Sequence, residues 1–467
     1  MQVDESAVST GPQTDPLFRR SVAATAPRRP PGLSWLQLAR YVPALLRDRA
    51  NALRRIAIDH GGVVRVPVPG KPFYLVTHPD GARRVLQTNA KNYQKSFDWK
   101  IVREFLGDGV ITSHDDLWQH GRTAASPVSR RKFVASVVPT VYEGTRETIA
   151  RWQAEGRRYI KAHQTMSVLT LDLFAKSMFR IDAGEDLETI SKCVSVGLQY
   201  LDRRLEALVD WSAFLPTPQR RHFEHWTSVL SGVVQSWIDE RRANPTATDD
   251  LLSMLIRASE GVPGRDDADR WVRDSVVTFL IAGHESAATV MTWCMYELAT
   301  RPEIQARLLD EATAMGEPRS LGDLEELPFT DQVIRETMRL YPPVWSLGRE
   351  AIEADELGEY TIPAGATVMV SPYVLHRRPE AWEDPEAFRP ERFTALTAKG
   401  KTFVYFPFSS GPRFCPGERF AMAEMRILLT QLVRSYRLSV EPGRIVGLNP
   451  LISLRPKPDI DIFLEPR

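Results

Sequence analysis

Cysteine is scarce: the chain has three, Cys193, Cys294 and Cys415, in 467 residues. They cannot build a disulfide framework and leave one unpaired, which suits a reducing compartment such as the cytoplasm. Net charge of either sign is also missing, since 60 Lys and Arg against 59 Asp and Glu leave a formal +1. Without a global positive field nothing holds a polyanion, so nucleic acid is excluded as the main partner. Long apolar runs are absent too. The early cluster Tyr41 to Leu46 is far shorter than the ~20 residues a membrane-spanning helix needs. Residues 1–31 scatter Asp4, Glu5, Arg19, Arg20, Arg28 and Arg29 among Ser, Thr and Pro, without the apolar centre of a signal peptide. The expectation is a disordered tail over 1–31, no transmembrane segment, and a soluble cytoplasmic protein.

What is present is an ordinary globular composition, 43% hydrophobic and 25% charged, far from that of a disordered chain. Arg29-Pro30-Pro31-Gly32 punctuates the end of the tail, and Trp35 to Ile58 has the apolar spacing of a helix. Gly61 to Thr77 reads as a hairpin, two β-rich runs around Pro69-Gly70. From about residue 80 to 300 the pattern is mainly helical; strand signals return at Tyr360 to Ser371, at Leu438 and at Ile460 to Leu464. No repeat or low-complexity linker divides the middle. The expected fold is therefore mainly α with small β-sheets, one large domain over 32–467. Its longest helix spans about Ala268 to Thr300, stopping before Pro302, and at ~1.5 Å per residue it is roughly 50 Å long. Its apolar first half gives way to Ala282-Gly283-His284-Glu285-Ser286, and three polar residues inside a buried helix are costly without a purpose.

Common enzyme signals fail. His284-Glu285 begins the zinc pattern H-E-x-x-H, but position 288 is Ala288. Gly107-Asp108-Gly109 begins a dinucleotide loop, but position 112 is Thr112. What remains is Phe408-Ser409-Ser410-Gly411-Pro412-Arg413-Phe414-Cys415-Pro416-Gly417-Glu418, followed by helical periodicity. Gly411 and Gly417 let backbone pass close to a flat ligand, and Pro416 suits the first helical position. That places Cys415 at a helix N-terminus, where N–H groups and the macrodipole favour the thiolate, the form that binds metal. Arg413 can meet an anionic group on the same ligand.

Phe408 to Gly417 matches F-x-x-G-x-R-x-C-x-G at every fixed position and so resembles the haem-binding loop of the cytochrome P450 family. Glu336-Thr337-Met338-Arg339 is similar to that family's E-x-x-R, Pro390-Glu391-Arg392-Phe393 to its P-E-R-F, and Trp118 to Arg122 to its W-x-x-x-R. Ala282 to Ser286 fits its oxygen-binding segment. The resemblance implies the cytochrome P450 fold, with haem b (iron protoporphyrin IX) between the long central helix and the cysteine loop. It makes Cys415 the iron ligand and places Phe408, Gly411, Arg413 and Gly417 of the loop around the cofactor, with Ala282 and Gly283 on the opposite side. Trp118, Arg122, Arg349 and Arg413 would meet the two haem propionates, which need cationic partners in an apolar pocket. Glu336, Arg339 and Arg392 would lock the core. Taken alone, Glu336 and Arg339 are an ordinary i,i+3 pair, and Trp118 and Arg122 a packing aromatic and a surface charge.

The implied activity is that of a soluble, bacterial-type haem-thiolate monooxygenase. A thiolate ligand feeds electron density to the iron and favours O–O cleavage, with Glu285 and Ser286 as the proton relay. Family members usually carry Thr after the acid; Ser286 keeps the hydroxyl and loses the methyl that restricts its rotamer. The implied substrates are O2 and an apolar small molecule such as a terpenoid, polyketide or fatty acyl compound of secondary metabolism. Phe97, Trp99, Phe105, Phe279, Val344, Trp345 and Leu347 are the expected pocket walls. Electrons would come ultimately from NAD(P)H through a separate ferredoxin or flavodoxin-type donor, docked on Arg130, Arg131, Lys132, Arg419 and Arg426, with the enzyme a monomer. A non-oxygenating haem-thiolate isomerase or dehydratase, and a haem-based sensor, are the alternatives; Glu285 and Ser286 argue against the sensor.

Overall fold

The computed structural model describes residues 28–96, 98–184, 186–206, 217–245, 249–318, 320–394 and 403–467. Phe97, one expected pocket wall, lies outside the described residues. The N-terminal helical pattern resolves into two helices, not one: α1 (Trp35–Arg47) and α2 (Arg49–His60). Asp48 separates them with an extended backbone, and its carboxylate accepts from the Asn51 N–H, so it serves better as the cap of α2 than as part of a continuous helix. Strands β1 (Val63–Val66) and β2 (Phe73–Val76) form the expected hairpin, in register Val63 to Val76. Next come β3 (Tyr93–Lys95), α3 (Trp99–Leu106), α4 (Asp115–Ala124) and α5 (Ala162–Phe174). The long helix α6 (Arg265–Ala299), then α7 (Pro328–Leu340), β4 (Leu347–Ala351), β5 (Thr367–Val370) and α8 (Glu418–Ser435) complete the frame of the site.

The five strands form one sheet in the order β1-β2-β5-β4-β3. β2 and β5 run parallel, the other pairs antiparallel. Backbone pairing starts before the end of the span read as tail: Arg28 donates its N–H to the Glu359 carbonyl, and Leu33 is buried. Helix α6 crosses the molecule as expected, buried over most of its length from Trp271 to Leu298. Its C-terminal half is fixed by Trp293, which stacks on Tyr341 at 3.9 Å between ring centroids and donates its indole N–H to the Leu454 carbonyl. The rejected dinucleotide motif has a packing role. The Gly107-Asp108-Gly109 turn after α3 lies on α6, where Asp274 accepts the Asp108 N–H and Thr278 donates to the Leu106 carbonyl.

A charged knot holds together α7 and the segments around His376 and 384–392. The Glu336 carboxylate accepts from Arg339 Nε and Nη2 at 2.7 and 2.8 Å and from the Arg389 N–H at 2.8 Å, with Arg392 Nε at 3.3 Å. Arg339 also donates to the carbonyls of His376, Pro385 and Ala387. Both members of the Glu336–Arg339 pair have no exposed side-chain surface. A buried ion pair survives only when its remaining donors and acceptors are satisfied, and here the carbonyls satisfy them.

Candidate active site

The cysteine loop folds back on itself: the Cys415 N–H donates to the Phe408 carbonyl and the Phe414 N–H to the Gly411 carbonyl, both 3.0 Å. Gly411 has φ +70°, and a Cβ there would sit 2.0 Å from the Leu86 carbonyl oxygen, so both conformation and close approach demand glycine. Helix α8 begins at Glu418 with Gly417 as its cap. Pro416 is therefore two residues ahead of the helix rather than at its first position, because the turn through Cys415 has to finish first. The helix terminus still serves the thiol. Burial pushes the Cys415 thiol up, and the N–H groups of Gly417 and Glu418 and the Arg122 guanidinium oppose it, while the Glu418 carboxylate sides with burial. A coordinated cation would complete the deprotonation, since a metal-bound thiol ionises outright.

Around this loop gather more cations than anions, with Asp98 near Arg349 and Asp115 near Arg413 as the acidic neighbours. Lys95 and Arg349 lie directly opposite each other in the β3–β4 ladder, so their side chains share a face. Arg349 is pushed down to about 10 by burial and by Arg413. Lys95 is pushed down to about 6 by burial, then by Arg413, Arg349 and Arg103; its Nζ stands 4.6 Å from the Trp99 ring centre and has no hydrogen-bond partner. The Arg413 guanidinium lies 4.5 Å over Trp118, and burial lowers both it and Arg122. Among the described residues none of these four cations forms an ion pair. Buried cations need anionic partners, and a tetrapyrrole with two carboxylates, whose metal faces a cysteine, fits this donor set.

Helix α6 opens one face at its centre. Ala282, Gly283 and Ser286 are half-buried in an otherwise enclosed stretch, with Phe279 buried one turn earlier. Gly283 also has a packing role: a Cβ there would meet the Phe174 ring of α5 at 2.0 Å, so this glycine seats α5 against α6. A surface groove of about 620 Å³ lined by Arg151, Trp152, Tyr159, Gln164 and Asp172, among others, shares no residue with this site.

The profile of the cytochrome P450 family matches residues 30–460. The chain belongs to the cytochrome P450 family. It is a P450 monooxygenase, and haem iron is its family's cofactor. Among its relatives, the cyclooctat-9-en-7-ol 5-monooxygenase of Streptomyces melanosporofaciens is 32% identical, over 82% of this chain and 84% of its own. The cyclooctatin synthase of the same organism is 30% identical over 87% and 89%. A crystal structure of a cytochrome P450 superposes with a TM-score of 0.80 over 94% of this chain and 99% of its own; at 21% identity it speaks for the fold.

In this P450 the Glu285 carboxylate is held by groups that sequence reading does not find. It accepts from Arg455 Nε at 2.7 Å and Ser453 Oγ at 2.6 Å, with Thr289 Oγ1 at 3.5 Å and His163 Nε2 at 3.4 Å. Burial would raise this carboxyl, but Arg455, His163 and His284 outweigh it and hold Glu285 far below the usual carboxylate range. Arg455 is 170 residues away in the chain, and no local pattern announces it. Lys95 is the other residue missed. Its only sequence signal is a cation at the end of a short strand.

The expected pocket walls divide. Leu347 shares the buried face of β4 with Arg349 and packs in the core cluster of the sheet with Val368 and Val370, and Val344 is 40% exposed. Trp99 lies under Lys95. Phe105 packs edge-on against Phe223 and fills the space beside Gly197, a helix-to-helix contact within the main core. Trp345 is a correction: it joins Leu33, Leu53, Ile56 and Tyr373 in the cluster under α2, its indole N–H donated to the Leu451 carbonyl at 2.6 Å. The pull of that carbonyl and the apolar cluster fixes it there.

Proposed function

We propose that this P450 oxygenates an apolar terpenoid, drawing electrons from NAD(P)H through a separate ferredoxin or flavodoxin-type donor. The observation that carries the reading is the Cys415 loop with Lys95, Arg122, Arg349 and Arg413, none of which forms an ion pair among the described residues, together with the half-buried Ala282 and Ser286 of α6. The two Streptomyces relatives, one named for oxygenating cyclooctat-9-en-7-ol, support the substrate class. When bound, haem with a thiolate ligand supplies dioxygen activation. The chain's own residues do the rest. Cys415 provides the thiolate; Lys95, Arg122, Arg349, Arg413 and Trp118 hold the cofactor carboxylates; Val344, Leu347 and Phe279 exclude water and orient the substrate.

Ser286 Oγ holds and passes the proton on the open face, and Glu285 behind it is a fixed charge that orders the polar chain through Ser453 and Arg455. On the proposed donor face the cations are unequal. Arg131 pairs with Glu325, Arg426 pairs with Asp331, and Arg419 donates to the Ser129 carbonyl. Arg130 and Lys132 are exposed and make no ion pair among the described residues, so they are the cations best able to meet an acidic donor.

The reduced, carbon-monoxide-bound absorption spectrum tests the centre: wild type gives the thiolate signature and Cys415→Ser loses it. Ser286→Ala keeps that signature but diverts reducing equivalents to peroxide; unchanged coupling removes Ser286 from the relay. For the substrate, terpenoid alcohols such as cyclooctat-9-en-7-ol are expected to shift the haem absorption band on binding. A response to fatty acyl compounds alone would overturn the terpenoid assignment.

A further inference from the structure

Helix α1 is well built yet poorly covered. A capping box between Ser34 and Gln37 starts it, and Tyr41 ties it to α2 by a 2.6 Å hydrogen bond to Asp59, but none of its thirteen residues is fully buried. At 100° per residue, Leu38, Tyr41 and Leu45 fall together on the side that packs against the protein. The apolar arc does not end there. Trp35, Val42 and Leu46 at i, i+7 and i+11 continue it outward and are 60%, 41% and 81% exposed, and Leu36 beyond them is 82% exposed. Isolated exposed leucines are ordinary, but a contiguous stripe marks an interaction surface.

The charges around the stripe identify the occupant. Arg40 and Arg47 project next to Leu36 at the far edge of the exposed arc, and neither forms an ion pair among the described residues. The helix contains no acid, and residues 16–47 hold six arginines without one Asp or Glu. The stripe is apolar along its length with cations only at its far edge, and no acidic residue lies on the helix to oppose an anionic surface. An anionic bilayer surface presents both halves of the complement: headgroup charge for the arginines and an acyl boundary for the apolar side chains. No helix among the described residues is long and apolar enough to cross a membrane, so such contact would be peripheral.

We infer that α1 docks this protein onto the surface of anionic membranes through Trp35, Leu36, Val42 and Leu46, with Arg40 and Arg47 at the headgroups. The test is co-flotation of the full-chain holoprotein with vesicles of phosphatidylcholine containing one-third phosphatidylglycerol, and with vesicles of phosphatidylcholine alone. Binding to the anionic vesicles is expected, weakening as salt rises, and falling at least tenfold in Leu36→Ser/Leu46→Ser and several-fold in Arg40→Gln/Arg47→Gln. These residues are exposed, so an unchanged carbon-monoxide spectrum verifies that each variant is folded. Equal binding to both vesicle types, no binding, or retention of full binding by the leucine variant would overturn the proposal. So would a dimer in light scattering that the leucine variant abolishes, which would make a second copy of the chain the occupant.

Discussion

Replacing Glu336 by glutamine removes one charge from the Glu336–Arg339–Arg392 knot while keeping its shape. Arg339 and Glu336 have no exposed side-chain surface, so the surviving guanidinium cannot turn to water. Breaking a buried pair by removing one partner costs about 3–5 kcal/mol. The carbonyls of His376, Pro385 and Ala387 remain as acceptors for Arg339, which argues for the lower end, about 3 kcal/mol. The new amide NH2 must also face a guanidinium or the Arg389 N–H, so one donor meets a donor. Against a whole-protein stability of about 5–15 kcal/mol this is a large share. Urea unfolding followed in parallel by haem absorbance and tryptophan fluorescence measures it, and both midpoints should fall together because α7 and the 384–392 segment lose one anchor. Glu336→Gln/Arg392→Gln should recover part of the loss by removing a cation left without its anion. A loss under about 1 kcal/mol in the single variant would refute the reasoning, since it would mean that the knot is not electrostatically tied.

Three other outcomes follow from the site. Gly411→Ala forces a methyl to 2.0 Å from the Leu86 carbonyl at φ +70°, and a strained site of this kind costs on the order of 1–3 kcal/mol before the clash; the thiolate spectrum should disappear while far-ultraviolet circular dichroism keeps its helical form. Lys95, held down to about 6 by burial and three guanidinium groups, regains its proton when the cofactor carboxylates arrive, so haem uptake binds a proton. The form with the higher pKa gains at low pH, so haem affinity should be greatest below about pH 6 and fall as pH rises above it; transfer of haem to apomyoglobin reads this slope, and Lys95→Met should flatten it. Arg455→Gln leaves Glu285 buried without its guanidinium and should cost about 3 kcal/mol at neutral pH. Because the Glu285 carboxyl is depressed in the folded protein, its contribution is present above its unfolded value and fades as pH falls below about 4.5. The gap between wild type and variant in urea midpoint should therefore narrow in acid.

Local chemistry in the sequence determined much of this protein. The Phe408–Gly417 pattern is local: its glycine at Gly411 is the residue its turn requires, at φ +70° and 2.0 Å from the Leu86 carbonyl oxygen. The β1–β2 hairpin, with its turn dipeptide, and α6, with an apolar run ending before proline, are equally local, since the period of the apolar residues and a breaker decide them. Where two local signals competed, reading failed by small amounts: Asp48 caps α2 and splits a continuous helical pattern, and the turn through Cys415 displaces the start of α8 by two residues.

Tertiary structure alone decided who meets whom. Glu285 reads as a proton-relay acid from its neighbours in the chain, yet Arg455 and Ser453, some 170 residues away, set its charge. Trp345 reads as a pocket wall from its position after α7, yet a carbonyl and an apolar cluster under α2 hold it elsewhere. Lys95 carries no motif, and becomes part of the site only because β3 pairs with β4 in a register that sets it opposite Arg349. The physical reason is the same in each case. Helix period, turn chemistry and close backbone approach act over a few residues and are written in sequence, whereas the electrostatics of a buried site depends on contacts between segments far apart in the chain, which exist only once the chain has packed.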